Sequence, residues 1–132
     1  MTYALDANVI SYILKDDELV TERYRQECKN GNEFIIPPIA FYEVQRGLLA
    51  KGLIARKRIF DAFCKEVPVG RFNYHILLKA AEIYATLKQL GKSIGDGDIF
   101  IAAFCLTYDF VLVTNNIRHF SFVKDLKIIN WK

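Results

Sequence analysis

Short apolar runs alternate along the chain with longer segments whose apolar residues recur at helical spacing, and this alternation constrains the fold most. The short runs predict strands at residues 2–5, 33–36, 66–69, 110–113 and 126–129. The run at 66–69 is the weakest, because Pro68 cannot donate a backbone hydrogen bond to a strand ladder. The longer segments predict helices at residues 7–14, 17–28, 38–51, 54–65, 73–91 and from 98 onward. Strands that alternate with helices predict an α/β fold, with a mostly parallel sheet covered by helices on both faces.

The helix expected from residue 98 indicates where the sheet and a ligand site lie. Residues 99–104 are apolar on every side, so we expect this helix to pack centrally, against the sheet and beneath a neighbouring helix. In open parallel sheets, ligands bind beyond the carboxyl ends of the strands. The polar residues that follow the predicted strands are therefore the candidates for a functional site.

Composition favours one globular domain of the cytoplasm. The chain has 132 residues, 52% of them hydrophobic and 25% charged, which argues against disorder or a coiled coil. Cys28, Cys64 and Cys105 are widely spaced and odd in number, which fits reduced thiols better than a disulfide framework or a zinc site. No apolar run approaches the roughly 20 residues that span a bilayer, and we expect no membrane partner. The net charge of +3 is too small to indicate a nucleic-acid partner by itself.

Polar side chains from remote parts of the chain are expected at one edge of the sheet. They follow the predicted strands or begin the central helix: Asp6 and Asn8, Glu43, Asp96 and Asp98, Thr114 and Asn116. Two carboxylates about 4 Å apart repel each other by on the order of 4 kcal/mol at an effective dielectric near 20. Either one of them binds a proton, or a cation lies between them. Acid, amide and hydroxyl oxygens suit Mg²⁺ or Mn²⁺ rather than zinc, and neither His75 nor His119 has a partner at ligand spacing.

Each of these residues also has a simpler interpretation. Asp6, Asp96 and Asp98 can each cap a helix. Glu43 can lie on a solvated helix face, and Asn116 can be an ordinary turn residue. Their recurrence at one end of one sheet favours a shared metal site. Residues two apart on a helix point to different sides, so we expect Asp98 to face the site and Asp96 to cap or support it.

Five segments carry a more specific signal. They are Leu-Asp-Ala-Asn at 5–8, Tyr-Glu-Val-Gln-Arg-Gly at 42–47, Ile-Gly-Asp-Gly-Asp-Ile-Phe-Ile-Ala-Ala at 94–103, Leu-Val-Thr-Asn-Asn at 112–116 with Arg-His-Phe at 118–120, and Leu-Lys-Ile-Ile-Asn-Trp at 126–131. In this order and spacing they resemble the PIN-domain ribonucleases, specifically the VapC-type toxins of bacterial and archaeal toxin–antitoxin pairs. The resemblance covers nearly the whole chain. It implies a single PIN-like three-layer α/β/α domain over residues 1–132.

The resemblance also implies a metal-dependent endoribonuclease that uses Mg²⁺, with Mn²⁺ as an alternative. Asp6, Glu43 and Asp98 would be the catalytic and metal-binding acids. Asn8, Asp96, Thr114 and Asn116 would support them. Two departures from the family pattern matter: Asn116 stands where many PIN domains carry a fourth acid, which puts a second tightly held metal ion in doubt, and Ala7 replaces a threonine beside Asp6.

Partners follow from the same resemblance. RNA would be the substrate, and Arg46, Lys92 and Arg118 lie near site residues in the sequence and are the best candidates to contact its phosphates. Lys51 and the run at 56–58 (Arg-Lys-Arg) are further candidates. A VapB-like antitoxin would inhibit the enzyme by laying an apolar segment in a groove beside the site, which aromatic residues of the first helices can line: Tyr12, Phe41 and Tyr42. The resemblance implies a homodimer.

Other functional classes fit less well. A receiver-like signalling domain also has a small acid-lined α/β fold, but it requires an Asp after its third strand, where this chain has Gly-Arg-Phe at 70–72. Gly91-Lys92-Ser93 is similar to the end of a phosphate-binding P-loop, but no strand precedes it and the leading glycine would fall at Thr86. A housekeeping RNA-processing nuclease with the same PIN site remains an alternative to a toxin.

Overall fold

A four-stranded parallel sheet forms the centre of the structure, a computed structural model that describes residues 1–132. Its strands are β1 (Thr2–Leu5), β2 (Glu33–Ile35), β3 (Val111–Val113) and β4 (Ile128–Ile129). Their order in the sheet is β2-β1-β3-β4. Because β1 is an inner strand, Ala4 lies opposite Ile35 on one side and Leu112 on the other. All four carboxyl ends therefore lie at the same edge of the sheet.

Seven helices connect and cover these strands. They are α1 (Ala7–Leu14), α2 (Glu18–Lys29), α3 (Pro38–Ala50), α4 (Ile54–Glu66), α5 (Tyr74–Gln89), α6 (Asp96–Tyr108) and α7 (Ile117–Phe120). With the sheet they form a three-layer α/β/α fold, as the sequence predicted. None of the seven combines the length and apolar character that crossing a membrane requires.

Local sequence signals set several of the helix boundaries. Asp17 caps α2 by accepting a hydrogen bond from the backbone N–H of Val20 at 3.2 Å. Asn73 caps α5 in the same way, accepting from the N–H of Ile76 at 2.9 Å. Pro38 begins α3, where the missing N–H costs no intrahelical hydrogen bond. These boundaries agree with the predicted ones.

Helix α6 lies at the centre of the core, as its all-round apolar pattern indicated. Ile101, Ala102, Ala103 and Cys105 are completely buried, and Phe104 is almost so. The helix packs against α3 and α5 and alongside β3. Its amino end, which carries Asp96 and Asp98, is thereby fixed close to the carboxyl edge of the sheet.

The structure corrects the sequence prediction at three places. The strand predicted at 66–69 was wrong: Val69 makes only an isolated parallel bridge to Ile36. Pro68 has no N–H to continue the ladder, although its carbonyl accepts from Ile36 at 2.9 Å. Helix α6 begins at residue 96 rather than 98, and the sequence analysis missed the four-residue α7 altogether.

Candidate active site

Asp6 occupies the junction between the inner strand β1 and helix α1. It is the N-cap of α1, and its Oδ1 accepts a hydrogen bond from the N–H of Ala7 at 2.8 Å. Its Oδ2 accepts from the hydroxyl of Thr114, also at 2.8 Å. The residue is only 4% exposed. These bonds hold a buried carboxylate in one orientation at the carboxyl edge of the sheet.

Thr114 and Asn8 support Asp6 from β3 and α1. Thr114 follows β3 directly, is fully buried, and donates its own backbone N–H to Ile129 at 3.0 Å. Asn8 reaches the Oδ2 of Asp6 over 3.4 Å and accepts from the N–H of Asn115 at 3.2 Å. Both residues therefore connect the end of β3 and the segment after it to the same carboxylate.

Glu43 and Asp98 bring two further carboxylates from α3 and α6. Their side chains are half-buried, 27% and 22% exposed. A methyl group added to Gly97 would lie 3.6 Å from Oε2 of Glu43, so the start of α6 passes close to the Glu43 side chain. Arg46, one turn along α3, is 3.9 Å from the same oxygen.

The three carboxylates influence one another electrostatically. Burial raises the pKa of Asp6, the hydrogen bonds from Thr114 and Ala7 oppose that rise, and the charge of Asp98 adds to it. Burial raises the pKa of Glu43, and the charges of Asp6 and Asp98 raise it further, against the opposing charge of Arg46. The site therefore concentrates negative charge, and binding of a cation would relieve it.

The donor set of this site suits a hard divalent cation. Carboxylates dominate it, and Mg²⁺ and Mn²⁺ prefer such oxygen ligands. In this structure, no three His, Cys, Asp or Glu side chains are close enough together to form a metal-binding group. In this arrangement Oδ2 of Asp6 accepts from Thr114, and Oδ2 of Asp98 faces His119 at 3.2 Å. The three acids are near enough to raise one another's pKa, so a cation bound among them would be stabilised electrostatically.

His119 is a site residue that the sequence analysis missed. It lies on α7, and its Nδ1 is 3.2 Å from Oδ2 of Asp98 and 2.9 Å from Nδ2 of Asn116. Asn116 in turn donates its backbone N–H to the hydroxyl of Thr114 at 2.9 Å. Sequence spacing hides this contact, because Asp98 precedes His119 by 21 residues and belongs to another helix. Because helix α7 itself was not predictable, no signal in the sequence could have placed Asn116 and His119 on one side of it.

The structure does not bring Asp96 into this cluster. Asp96 is exposed at the first position of α6, while Asp98, two residues on, is turned inward towards His119. An acidic residue in the first turn stabilises the helix through its dipole, which is sufficient to explain Asp96.

The predicted phosphate-binding residues lie at different distances from the acids. Arg46 is next to Glu43, and its guanidinium also covers the ring of Tyr42 at 5.1 Å. Arg118 is exposed on α7, directly before His119. Lys92 lies over the ring of Phe122 at 4.9 Å and has no contact with an acid of the site.

A basic groove adjoins the acids between α1, α3 and the start of α4. It has a volume of about 190 Å³ and includes Glu43 and Asn8 in its wall. Three cations line it, Lys15, Lys51 and Arg56, and none of them belongs to an ion pair. A larger cavity, of about 680 Å³, lies along α2 and contains no residue of the acid cluster. Contact with the acids, rather than size, identifies the smaller groove as part of the site.

The three aromatic residues expected beside the site differ in exposure. Phe41 is partly buried and packs on Phe60 with ring centroids 5.6 Å apart, so it belongs largely to the core. Tyr42 is 55% exposed. The hydroxyl of Tyr12 accepts a 3.4 Å hydrogen bond from Asn115. Tyr12 is also partly buried, and Lys132 lies over its ring at 4.9 Å. Tyr42 is therefore the accessible member of this set.

Residues 3–125 of the chain match the PIN domain family. The chain belongs to this family. Among curated PIN proteins it is 29% identical to Ribonuclease VapC1 of Haemophilus influenzae (strain R2866) over 133 residues, covering 99% of this chain and 98% of that protein. It is 25% identical to the tRNA(fMet)-specific endonuclease VapC of Salmonella typhimurium, with the same coverage of each chain.

Solved structures agree with this PIN assignment over the whole chain. The VapBC2 structure from Rickettsia felis, bound to a DNA fragment from its promoter, superposes with a TM-score of 0.92 at 28% identity and covers all of both chains. VapBC-1 from nontypeable Haemophilus influenzae superposes with a TM-score of 0.84 at 30% identity, covering 99% of this chain and 98% of that one. The three-layer PIN fold therefore extends from end to end of the chain.

Proposed function

We propose that this PIN domain is the endoribonuclease toxin of a toxin–antitoxin pair. The observation that carries the proposal is the convergence of Asp6, Glu43 and Asp98, from β1, α3 and α6, in a chain similar over its full length to VapC ribonucleases. We also propose that residues 1–132 form one domain and that the three acids are its catalytic and metal-binding residues.

Asp6 and Asp98 would hold a divalent cation, Mg²⁺ or Mn²⁺. When bound, the cation polarises the scissile phosphate and lowers the pKa of a water molecule. Glu43, a carboxylate 27% exposed beside the start of α6, would orient that water or complete the shell of the cation. Thr114 and Asn116 keep Asp6 and the start of α7 in place.

The basic groove would bind the RNA backbone beside the scissile bond. Its cations, Lys15, Lys51 and Arg56, form no ion pair and could neutralise phosphates, and Glu43 is part of its wall. Arg46 would contact the phosphate nearest Glu43, and the exposed Arg118 one near the start of α7. Lys92 is the least favoured of the predicted contacts, because it forms no ion pair with an acid of the site, whereas Arg46 lies next to Glu43.

A VapB-like antitoxin would be the inhibitory partner, and the toxin would act as a homodimer. The antitoxin partner is supported by the solved relatives, which are VapBC structures. Tyr42, exposed next to Glu43 in the chain, would supply aromatic surface for the antitoxin segment, with the partly buried Tyr12 at its edge.

Cleavage by the purified chain tests the nuclease. The parent, freed of metal, should cut RNA only after Mg²⁺ or Mn²⁺ is added, and Asp6→Asn should reduce the rate at least about 100-fold. Asp16→Asn is the matched control, because Asp16 is an exposed acid with a left-handed backbone that Asn also adopts readily. Equal rates for the parent and Asp6→Asn would rule out the assigned site.

Expression in a bacterial host separates a toxin from a housekeeping nuclease. Producing the parent alone should arrest growth, and co-producing the protein encoded next to it should relieve the arrest. Asp6→Asn should be harmless at equal protein level. Harmless production of an active parent nuclease would favour the housekeeping alternative.

A further inference from the structure

Tyr42 exposes an aromatic ring on α3 directly beside an acid of the site. The residue is 55% exposed, although it precedes Glu43 in the chain. No other aromatic ring packs against it. Core packing therefore does not account for the ring.

Arg46 connects this ring to the carboxylate of Glu43. Its guanidinium lies over the Tyr42 ring at 5.1 Å from the centroid, and its Nη2 is 3.9 Å from Oε2 of Glu43. With the C–N bond of the guanidinium included, these contacts place the ring centroid within about 10 Å of that oxygen. A single nucleotide can bridge such a distance between its phosphate and its base. A phosphate held beside Glu43 therefore leaves a neighbouring base within reach of the ring.

The Tyr42–Arg46 pair has surface left to bind a ligand. The guanidinium lies over one face of the ring, but more than half of Tyr42 is still exposed. The Arg46 side chain is 59% exposed, and its contact with Glu43 is at the long limit of an ion pair. Unpaired bases stack on aromatic rings and on guanidinium planes, and a nearby arginine adds a cation–π attraction.

A similar pair on α5 shows which feature of Tyr42 matters. Lys88 lies over the ring of Tyr84 at 5.9 Å, and Tyr84 is 51% exposed. A cation over an exposed tyrosine is therefore not by itself a sign of a ligand. Arg46 differs from Lys88 because it also contacts an acid of the site, and the basic groove lies along the same helix.

We propose that Tyr42, backed by Arg46, is the platform on which the RNA substrate stacks an unpaired base next to the scissile phosphate. The stacked base fixes the strand relative to the acids, while the basic groove binds the backbone. Tyr42 is thus a substrate-positioning residue, with no part in the metal or proton chemistry. The inference rests on the proposed nuclease function and adds a contact to a base, which the acids and the groove do not provide.

Abasic substitution in a short single-stranded RNA tests the platform. The bond that the parent cuts in the presence of Mg²⁺ or Mn²⁺ is mapped first, and each nucleotide beside it is then replaced in turn by an abasic one. At one position the abasic RNA should raise the KM of the parent about tenfold, and Tyr42→Leu should raise the KM for intact RNA by a similar factor. The kcat should change by less than about twofold, because the contact holds the strand and not the reacting atoms.

The combination of the two changes is decisive. Tyr42→Leu with that abasic RNA should have the KM of either single change, because both remove the same contact. Tyr42→Phe, which keeps the ring, should remain close to the parent. Multiplication of the two effects at every abasic position would overturn the proposal, and so would a parent-like KM of Tyr42→Leu on intact RNA.

Tyr84→Leu is the matched control, because it removes an equally exposed ring beneath a cation and lies outside the basic groove. It should leave the KM unchanged for every RNA. A Tyr42→Leu variant that cuts RNA normally and loses only its binding to the antitoxin would assign the ring to the protein partner and overturn the proposal. Failure of the parent to cut any RNA would overturn the proposed nuclease as well.

Discussion

The hydroxyl of Thr114 donates to Oδ2 of Asp6 over 2.8 Å, across 108 residues of sequence. This bond connects the end of β3 to the end of β1, and both residues are buried. Through Thr114, the bond also connects Asp6 at the end of β1 to Asn116 and His119. Its removal is therefore expected to affect both stability and the site.

Thr114→Val keeps the shape of the side chain and removes its hydroxyl. Asp6 would lose a donor and the N–H of Asn116 would lose an acceptor. We expect the free energy of unfolding to fall by about 1–3 kcal/mol, since buried polar groups are left unpaired. Urea unfolding measures this, and Thr114→Ser, which retains the hydroxyl, should stay much closer to the parent. If Thr114→Val were as stable as the parent, the hydrogen bond from Thr114 to Asp6 would not contribute to stability.

Asp6 and Glu43 should make the metal-free protein less stable as the pH rises. The pKa values of Asp6 and Glu43 are raised in the folded chain above their ordinary values of 3.8 and 4.5. The folded state thus holds more protons than the unfolded state, and stability from these groups is greatest below the ordinary values and falls as the pH passes through the raised ones.

Asp6→Asn should remove part of this pH dependence. At pH 4 its melting temperature should be near or below that of the parent, and at pH 7, without metal, it should exceed the parent by a few degrees. Thermal unfolding of both proteins across this range isolates the contribution of Asp6. Asp17 and Asp61 have an opposite effect in both proteins, because hydrogen bonds and ion pairs with lysine lower their pKa values. A difference between the two proteins that does not vary with pH would refute the assigned shift.

The two acids at the start of α6 should differ sharply in importance. Asp98 faces His119, whereas Asp96 is exposed at the first helical position. Asp98→Asn should lower metal-dependent RNA cleavage at least about 100-fold, and Asp96→Asn by no more than about twofold. Both variants keep the size of the side chain, so single-turnover rates at matched stability give the comparison. Similar losses in both would argue against this orientation of α6.

Neutralising the basic groove should weaken RNA binding without disturbing metal binding. Lys51→Gln and Arg56→Gln should each raise KM several-fold with little effect on kcat, and each should reduce the salt dependence of binding by about one counterion. Lys79→Gln is the control, because Lys79 lies on α5 in an ion pair with Glu82 at 3.3 Å. An unchanged salt slope in both groove variants would place the RNA elsewhere.

Gly70 should tolerate no side chain. A methyl group there would lie 2.4 Å from Cζ of Phe104, whose ring is buried and cannot move aside cheaply. Gly70→Ala should therefore cost about 1–3 kcal/mol of stability. Gly95→Ala meets no atom within 4 Å and should be nearly neutral. Chemical denaturation of both variants makes the comparison.

Local signals in the sequence were enough to predict most of the secondary structure. Asp17 and Asn73 cap helices by bonding to a backbone N–H three residues later, and Pro38 begins α3. Such short-range interactions can be recognised in a single sequence. The parallel order of the strands then places Asp6 and Thr114 together, because both follow neighbouring inner strands. The predicted grouping of acids followed from the same rule.

Features that depend on tertiary contacts were beyond the sequence. The segment at 66–69 is apolar enough for a strand, but Pro68 limits it to a single bridge. Helix α7 is four residues long and has no amphipathic period to detect; it is held by the burial of Phe120. His119 therefore looked isolated, because its partner Asp98 becomes a neighbour only when α6 and α7 pack together.

The inner position of β1 has a consequence for the order in which the molecule comes into being. The strand made first pairs with β2 and also with β3, which is made nearly last. A chain still emerging from the ribosome holds Asp6 without Thr114 and Asp98 without His119. Only after the segment through α7 has been synthesised can the acids take up their final places. The acid site therefore cannot form until nearly the whole chain has been synthesised.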